Sequence, residues 1–183
     1  MGFEYEIIKF LQSNATTNWI TFFQIVTMLG SYLGFLVTLL VVFFKNRRLT
    51  IPLIITFALG AVINHFVKAI IARTRPFDTY SDIINYGNED GYSFPSGHSL
   101  CAGIFATFLF FTLLKSTKNK WTIALGTLSL VLLTVLVAFS RMVLGVHYLT
   151  DTIIGIFFGI LFAIISILLY NILENKWKKR NKH

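Results

Sequence analysis

Apolar residues fall into five long runs separated by short polar segments: Trp19–Phe44, Thr50–Ile71, Gly97–Leu114, Trp121–Ser140 and Thr152–Leu173. Each is close to or above the roughly 20 mainly apolar residues that a helix needs to cross the hydrocarbon core. The pattern predicts an all-α fold, a polytopic membrane bundle of five transmembrane helices. Gly30-Ser31 falls inside the first run and predicts a bend or break there. Before that run, Phe3, Ile7, Phe10 and Leu11 recur at helical spacing, with Glu4, Glu6 and Lys9 between them. Residues 1–17 therefore read as an amphipathic segment lying in the interface. They lack the basic start and continuous apolar run of a secretory leader. No internal repeat divides the chain, and residues 1–183 read as a single membrane-embedded domain.

Composition agrees with the pattern. The chain is 55% hydrophobic and 13% charged, with a mean hydropathy of +0.71. That charged share is about half of what a soluble domain carries. Nineteen Phe and seven Tyr argue against disorder. The single Cys101 cannot form an internal disulfide.

The net charge of +8 is unevenly placed. Five crossings put alternate loops on opposite sides. Lys45, Arg47 and Arg48 follow the first run, Lys115, Lys118 and Lys120 the third, and Lys176, Lys178, Lys179, Arg180 and Lys182 the fifth. Eleven of the sixteen basic residues thus share one face with Glu174 alone, a local balance of +10. The other face holds five basic residues against seven acids, a balance of −2. The positive-inside rule assigns the basic loops and the 174–183 tail to the cytoplasm. The basic residues there read as topology signals and anionic-lipid contacts rather than a nucleic-acid surface. Trp19, Trp121 and Trp177 fall at run ends, as an aromatic belt would place them.

The topology rule leaves Lys68, Arg75 and Arg141 unexplained, all on the net-acidic face. Lys68 and Arg75 are seven apart and share a direction if the helix continues that far, with Pro76 stopping it. Ionisable groups at this depth suggest function, although an arginine at the headgroup level can be a simple anchor. The loop Phe77–Phe94 runs into Pro95-Ser96-Gly97-His98 at a helix start. Ser96 suits an N-cap there, Gly97 allows close approach to the backbone, and the free N–H groups favour an anion. Pro-Ser-Gly is also an ordinary loop-to-helix junction. His147 and Asp151 are four apart, hence neighbours on one helical face. A carboxylate on one ring nitrogen would free the other as a nucleophile; a structural hydrogen bond or helix-start cap fits the pair equally well.

Taken together, three motifs resemble the type 2 phosphatidic acid phosphatase superfamily of integral-membrane lipid phosphatases. They are Lys68 to Arg75-Pro76, then Pro95-Ser96-Gly97-His98, then Ser140-Arg141 to His147 and Asp151. The resemblance spans about Gly30 to Leu173, and relatives often carry six crossings rather than five. It implies that His147 attacks phosphorus and forms a phosphohistidine, with Asp151 orienting the ring. It implies that His98 serves as general acid and then base, and that Lys68, Arg75, Arg141, Ser96 and Gly97 hold the phosphoryl oxygens. The expected substrate is a lipid phosphate: phosphatidic acid, phosphatidylglycerol phosphate or undecaprenyl diphosphate. The expected setting is the outer face of the plasma membrane, with no nucleic-acid partner.

Phosphoryl transfer needs chiefly positioning and charge stabilisation. Three fixed cations can supply that charge, so no metal or other cofactor is expected. A metal alternative would use Asp78, Asp82, Glu89 and Asp90, which read as solvated loop residues. Arg73 lies outside the motifs and reads as an interface anchor or a second phosphate contact. His65, one turn before Lys68, reads as core packing; Tyr80, Tyr86 and Tyr92 would roof the site or sit in the interface. The rival functions are a non-catalytic lipid transporter or scaffold, and a phosphotransferase to an acceptor other than water.

Overall fold

The computed structural model describes residues 2–180. Lys182 and His183 of the basic tail lie outside the described residues. Among the described residues, eight α-helices run in the order α1 (Gly2–Ser13), α2 (Thr17–Thr27), α3 (Tyr32–Lys45), α4 (Thr50–Ile71), α5 (Pro76–Thr79), α6 (Gly97–Ser116), α7 (Lys120–Val143) and α8 (Leu149–Arg180). There is no strand among the described residues. Four segments, built on α4, α6, α7 and α8, are long and apolar enough to cross a membrane. The pair α2 and α3, bent by 48° at Gly30-Ser31, makes a fifth if taken as one span. The bend falls where the sequence placed it: Met28–Gly30 tightens into a 3-10 turn and Ser31 is extended, with φ −128°.

Helix starts follow the local chemistry. Asn119 caps α7, its Oδ1 accepting from Trp121 N at 2.9 Å and Thr122 N at 3.2 Å. Pro52 occupies the first turn of α4, where its missing N–H costs no intrahelical bond. The end of α4 differs from the sequence expectation. The helix stops at Ala72, which takes a left-handed φ of 49°, and does not continue to Arg75. A residue before proline is driven out of the α region, and Arg75 is extended at φ −77°, ψ 159°. Pro76 therefore opens α5 rather than closing α4.

α6 is the central helix. Half of its apolar stretch is buried, against 11% for those of α4 and α7. Leu100, Ile104, Phe105 and Phe108 form the core with Leu53 of α4 and Ala163 and Ile167 of α8. α6 and α8 meet almost backbone to backbone. A Cβ at Gly155 would stand 2.6 Å from Ser96 O, and one at Gly103 2.6 Å from Ile156 O; one at Gly159 would overlap Leu100 O. Small residues on facing surfaces let helices approach this closely in lipid. The contact registers the N-terminal ends of α6 and α8 side by side, and Ser96 N donates to Asp151 O at 3.0 Å.

The two ends of the bundle differ in charge. At one end Lys115 Nζ donates to Asn46 Oδ1 at 2.9 Å, and Arg48 pairs with Glu174 at 3.6 Å, gathering the basic loops. At the other end lie the 72–96 loop, the 144–148 turn and α1. α1 buries Ile8 against Ile83, Met142 and Tyr148, while Phe3 and Phe10 remain exposed. Lys9 and Tyr5 of α1 hold Asp82 at 3.0 and 2.7 Å.

Candidate active site

The three sequence motifs converge at that second end. Lys68, Arg75, Gly97, His98 and His147 line one cavity of about 410 Å³, together with Glu89 and Tyr92. Lys68 reaches it from the last turn of α4, its ammonium bonded to the Tyr92 carbonyl and 3.4 Å from Ser93 O. Arg75 reaches it from the extended segment after α4. Its Nε donates to Asp90 O at 3.1 Å and Gly91 O at 3.0 Å, and Nη1 to Val146 O at 3.0 Å. These carbonyls fix the guanidinium without neutralising it.

His147 stands between a cation and an anion. It is 1% exposed, in the turn that Gly145 enters with φ 74°. Arg75 Nη1 lies 3.4 Å from its Nε2. A guanidinium only donates, so Nε2 is the nitrogen with the free lone pair and Nδ1 carries the proton. That proton faces Asp151 Oδ2 at 3.4 Å, a loose contact that leaves Nδ1 without a formed hydrogen bond. Burial, with Arg141, Lys68 and Arg75 nearby, pushes His147 well below the usual imidazole range, and Glu89 only partly opposes this. These surroundings favour the neutral ring.

The His147–Asp151 pair does not lie on one helix, as the four-residue spacing suggested. α8 begins at Leu149, so His147 precedes it. The two meet because Asp151, third in the helix, turns back to accept from Tyr148 N at 2.9 Å. This is the second half of a capping box. The cap reading and the catalytic reading thus describe one carboxylate whose Oδ2 faces both groups.

Among the remaining expected site residues, His98 opens α6 with Nδ1 3.7 Å from Glu89 Oε1. Gly97 beside it has Asn64 Nδ2 3.4 Å from where a Cβ would stand. Ser96 is fully buried; its Oγ caps α6, accepting from Ser99 N at 3.4 Å and Ser99 Oγ at 3.0 Å. Arg141 is buried behind the cavity, its Nη1 donating to Thr27 Oγ1 at 2.7 Å. Of the three loop tyrosines only Tyr92 borders the cavity; Tyr80 stacks on Tyr5 at 4.2 Å, and Tyr86 packs into the core. His65 also lines the cavity instead of packing in the core. It sits on the α4 face that carries Lys68, three residues on.

Two residues have a place here that the sequence did not give them. Glu89 is not a solvated loop acid: Arg141 Nη2 reaches its Oε1 at 2.5 Å and Arg75 Nη2 its Oε2 at 3.2 Å. Against the raising effect of burial, Arg141, His98 and Arg75 hold the Glu89 carboxyl below the usual range. Two buried guanidiniums demand an anion, and no spacing rule names which loop acid answers. Arg73 does not line the cavity and pairs with two carboxylates. Its Nη1 donates to Asp151 Oδ1 at 2.5 Å and its Nη2 to Glu4 Oε2 at 2.8 Å. Asp90 lines the cavity beside Glu89, whereas Asp78 and Asp82 do not, and no group of three His, Cys, Asp or Glu side chains able to hold a metal converges among the described residues.

A family model described as the PAP2 superfamily matches residues 49–174. An undecaprenyl-diphosphatase from Sulfolobus acidocaldarius is 31% identical over 172 residues, covering 91% of this chain and 78% of its own length. Phosphatidylglycerophosphatase B from Bacillus subtilis is 31% identical over 148 residues, covering 74% of this chain and 68% of its own. Among solved structures, a transmembrane PAP2-type phosphatidylglycerolphosphate phosphatase from Bacillus subtilis superposes with a TM-score of 0.79 at 23% identity, covering 92% of this chain and 84% of that one. Aquifex aeolicus LpxE superposes with a TM-score of 0.73 at 25% identity, covering 88% and 93%.

Proposed function

The chain belongs to the PAP2 superfamily, and on that footing we propose that it hydrolyses lipid phosphomonoesters or diphosphates through a phosphohistidine at the outer membrane face. One observation carries the reading. His147 is buried between a carboxylate on Nδ1 and a guanidinium on Nε2, and opens onto a cavity shared with Lys68, Arg75 and His98. The names of the relatives make undecaprenyl diphosphate and phosphatidylglycerol phosphate the leading substrates, with phosphatidic acid a third.

His147 Nε2 attacks the terminal phosphorus, and its bond breaks to the oxygen of the leaving group, the lipid alcohol from a monoester or the lipid monophosphate from a diphosphate. His98 gives a proton to that leaving oxygen. Asp151 holds Nδ1–H and balances the charge that the ring acquires. Water then attacks the phosphohistidine, His98 takes its proton, the P–N bond breaks and inorganic phosphate leaves. Lys68, Arg75 and Arg141 neutralise the phosphoryl oxygens, Arg141 by exchanging its contact with Glu89 for one with phosphate. The N–H of Gly97 at the α6 start adds a donor aimed at anionic charge. Ser96 serves by holding that helix start in place. Fixed cations then supply the charge that divalent metals supply in other phosphoryl-transfer enzymes.

The basic loops at the far end favour a cytoplasmic C-terminus and a site facing outward. A reporter fused at His183 should report the cytoplasm; an extracytoplasmic signal would reverse the orientation. Hydrolysis is tested by phosphate release from undecaprenyl diphosphate, phosphatidylglycerol phosphate and phosphatidic acid by the purified chain in detergent. Release from at least one, undiminished by chelator, is expected. No release from any of the three ends the phosphatase reading, and a strict need for divalent metal ends the cation-only account.

A further inference from the structure

Arg73 is half of a double grip on the carboxylate that faces His147. Asp151 is fully buried, and both of its oxygens are engaged. Arg73 Nη1 donates to Oδ1 at 2.5 Å, and Tyr148 N to Oδ2 at 2.9 Å. With one oxygen held from each side, the carboxylate cannot rotate, and Oδ2 stays directed at His147 Nδ1. The guanidinium plane also lies over the Tyr148 ring, 3.9 Å from its centroid.

Arg73 is itself held by the N-terminal helix. Its Nη2 donates to Glu4 Oε2 at 2.8 Å. The other oxygen of Glu4 accepts from Thr150 N and Thr150 Oγ1, each at 2.8 Å. Thr150 N is one of the free donors at the start of α8, so a carboxylate from α1 completes the cap that Asp151 begins. Partial burial works against it, yet Thr150 and Arg73 hold Glu4 below the usual carboxylate range. Glu4, Arg73 and Asp151 together sum to one negative charge beside His147, and that charge stabilises the ring once it is phosphorylated.

We propose that Arg73, gripped by Glu4 of the N-terminal helix, is a positioning residue for the phosphoryl-transfer step: it fixes the Asp151 carboxylate that orients His147. The inference rests on the assignment of His147 as nucleophile. A buried carboxylate stripped of its cation is costly and favours the protonated form, which orients an imidazole poorly. Arg73 does not line the cavity, whereas Lys68 and Arg75 do. Its loss therefore slows chemistry and leaves substrate binding alone.

The experiment compares the full-length parent, Arg73→Gln, Arg73→Lys, Glu4→Gln and the Arg73→Gln/Glu4→Gln double variant in detergent. The substrate is the lipid phosphate that the parent hydrolyses best in the panel above, and orthovanadate inhibition reads the phosphate cradle. Arg73→Gln should lower kcat about tenfold to a hundredfold, the loss of one charge-assisted hydrogen bond, with KM and vanadate inhibition unchanged. Arg73→Lys should recover part of kcat. Glu4→Gln should lower kcat less, and the double variant should match Arg73→Gln, since both act through one chain of contacts.

A parent-like kcat in Arg73→Gln, or a raised KM at unchanged kcat, overturns the proposal. Additive losses in the double variant overturn the role of Glu4. If Arg73→Gln does not purify folded, Arg73→Lys decides: it keeps the charge but cannot grip both carboxylates through separate nitrogens. Reduced kcat at unchanged KM then supports the proposal, and parent-like kcat overturns it. His147→Ala separates the two readings. If it turns over like the parent, the nucleophile assignment fails; if it is dead while Arg73→Gln is parent-like, only the role of Arg73 fails.

Discussion

Glu89 Oε1 lies 2.5 Å from Arg141 Nη2, a carboxylate seated on a guanidinium that is 1% exposed. Its second oxygen reaches Arg75, so one loop acid engages two of the three cations assigned to phosphate. On the proposed mechanism, substrate competes with Glu89 for the arginines. Glu89→Ala leaves Arg141 buried without its anion, which costs about 3–5 kcal/mol when one partner of a buried pair is removed. Thermal unfolding should shift down accordingly. Inorganic phosphate should then raise the Tm of Glu89→Ala by more than it raises that of the parent, because phosphate no longer displaces a carboxylate. An equal or smaller phosphate effect would show that Glu89 and phosphate do not share the site.

The depressed titration of His147 makes stability depend on pH. In the unfolded chain an imidazole takes up a proton below about pH 6.5; in the folded chain burial and three nearby cations prevent it. The unfolded state then binds more protons, so stability is full above about pH 6.5 and is lost as pH falls toward the folded value. Tm measured from pH 7.5 down to 5 should fall for the parent, and His147→Asn should flatten that fall. Parallel curves for the two proteins would contradict the burial of a neutral ring.

Much of the helical arrangement is legible in the sequence. The apolar runs give the crossings because in lipid every backbone group must be satisfied within a helix, and Gly30-Ser31 marks the bend. The motif residues stand out through the resemblance they carry together, and Lys68, Arg75, Gly97, His98 and His147 line one cavity. What could not be read is how partners distant in sequence meet. Glu89 is separated from Arg141 by 52 residues and Arg73 from Asp151 by 78, and charge pairing at such range has no periodicity. The Ala72 break was within reach of local rules, since the restriction on a residue before proline excludes Arg75 from a helix. The position of His147 outside α8 was not, because it follows from where Asp151 chooses to cap.

The glycine contact between α6 and α8 sets the distance between the two ends that carry His98 and Asp151. A Cβ at Gly159 would overlap Leu100 O and stand 3.0 Å from Ile104 N. Gly159→Val must push backbone against backbone, at about 1–3 kcal/mol for overpacking. Tm should fall, and kcat should fall with it because the two helix starts are no longer in register. A variant with parent-like Tm and kcat would show that the contact does not position the site.

A phosphohistidine at His147 is open to direct trapping. Rapid quenching of the full-length chain with phosphoryl-labelled lipid substrate should trap a label that acid releases and alkali does not, as a phosphoramidate behaves. Peptide mapping should place it at His147, and His147→Ala should show neither the label nor turnover. Parent turnover with no such label, or full activity in His147→Ala, would contradict the account.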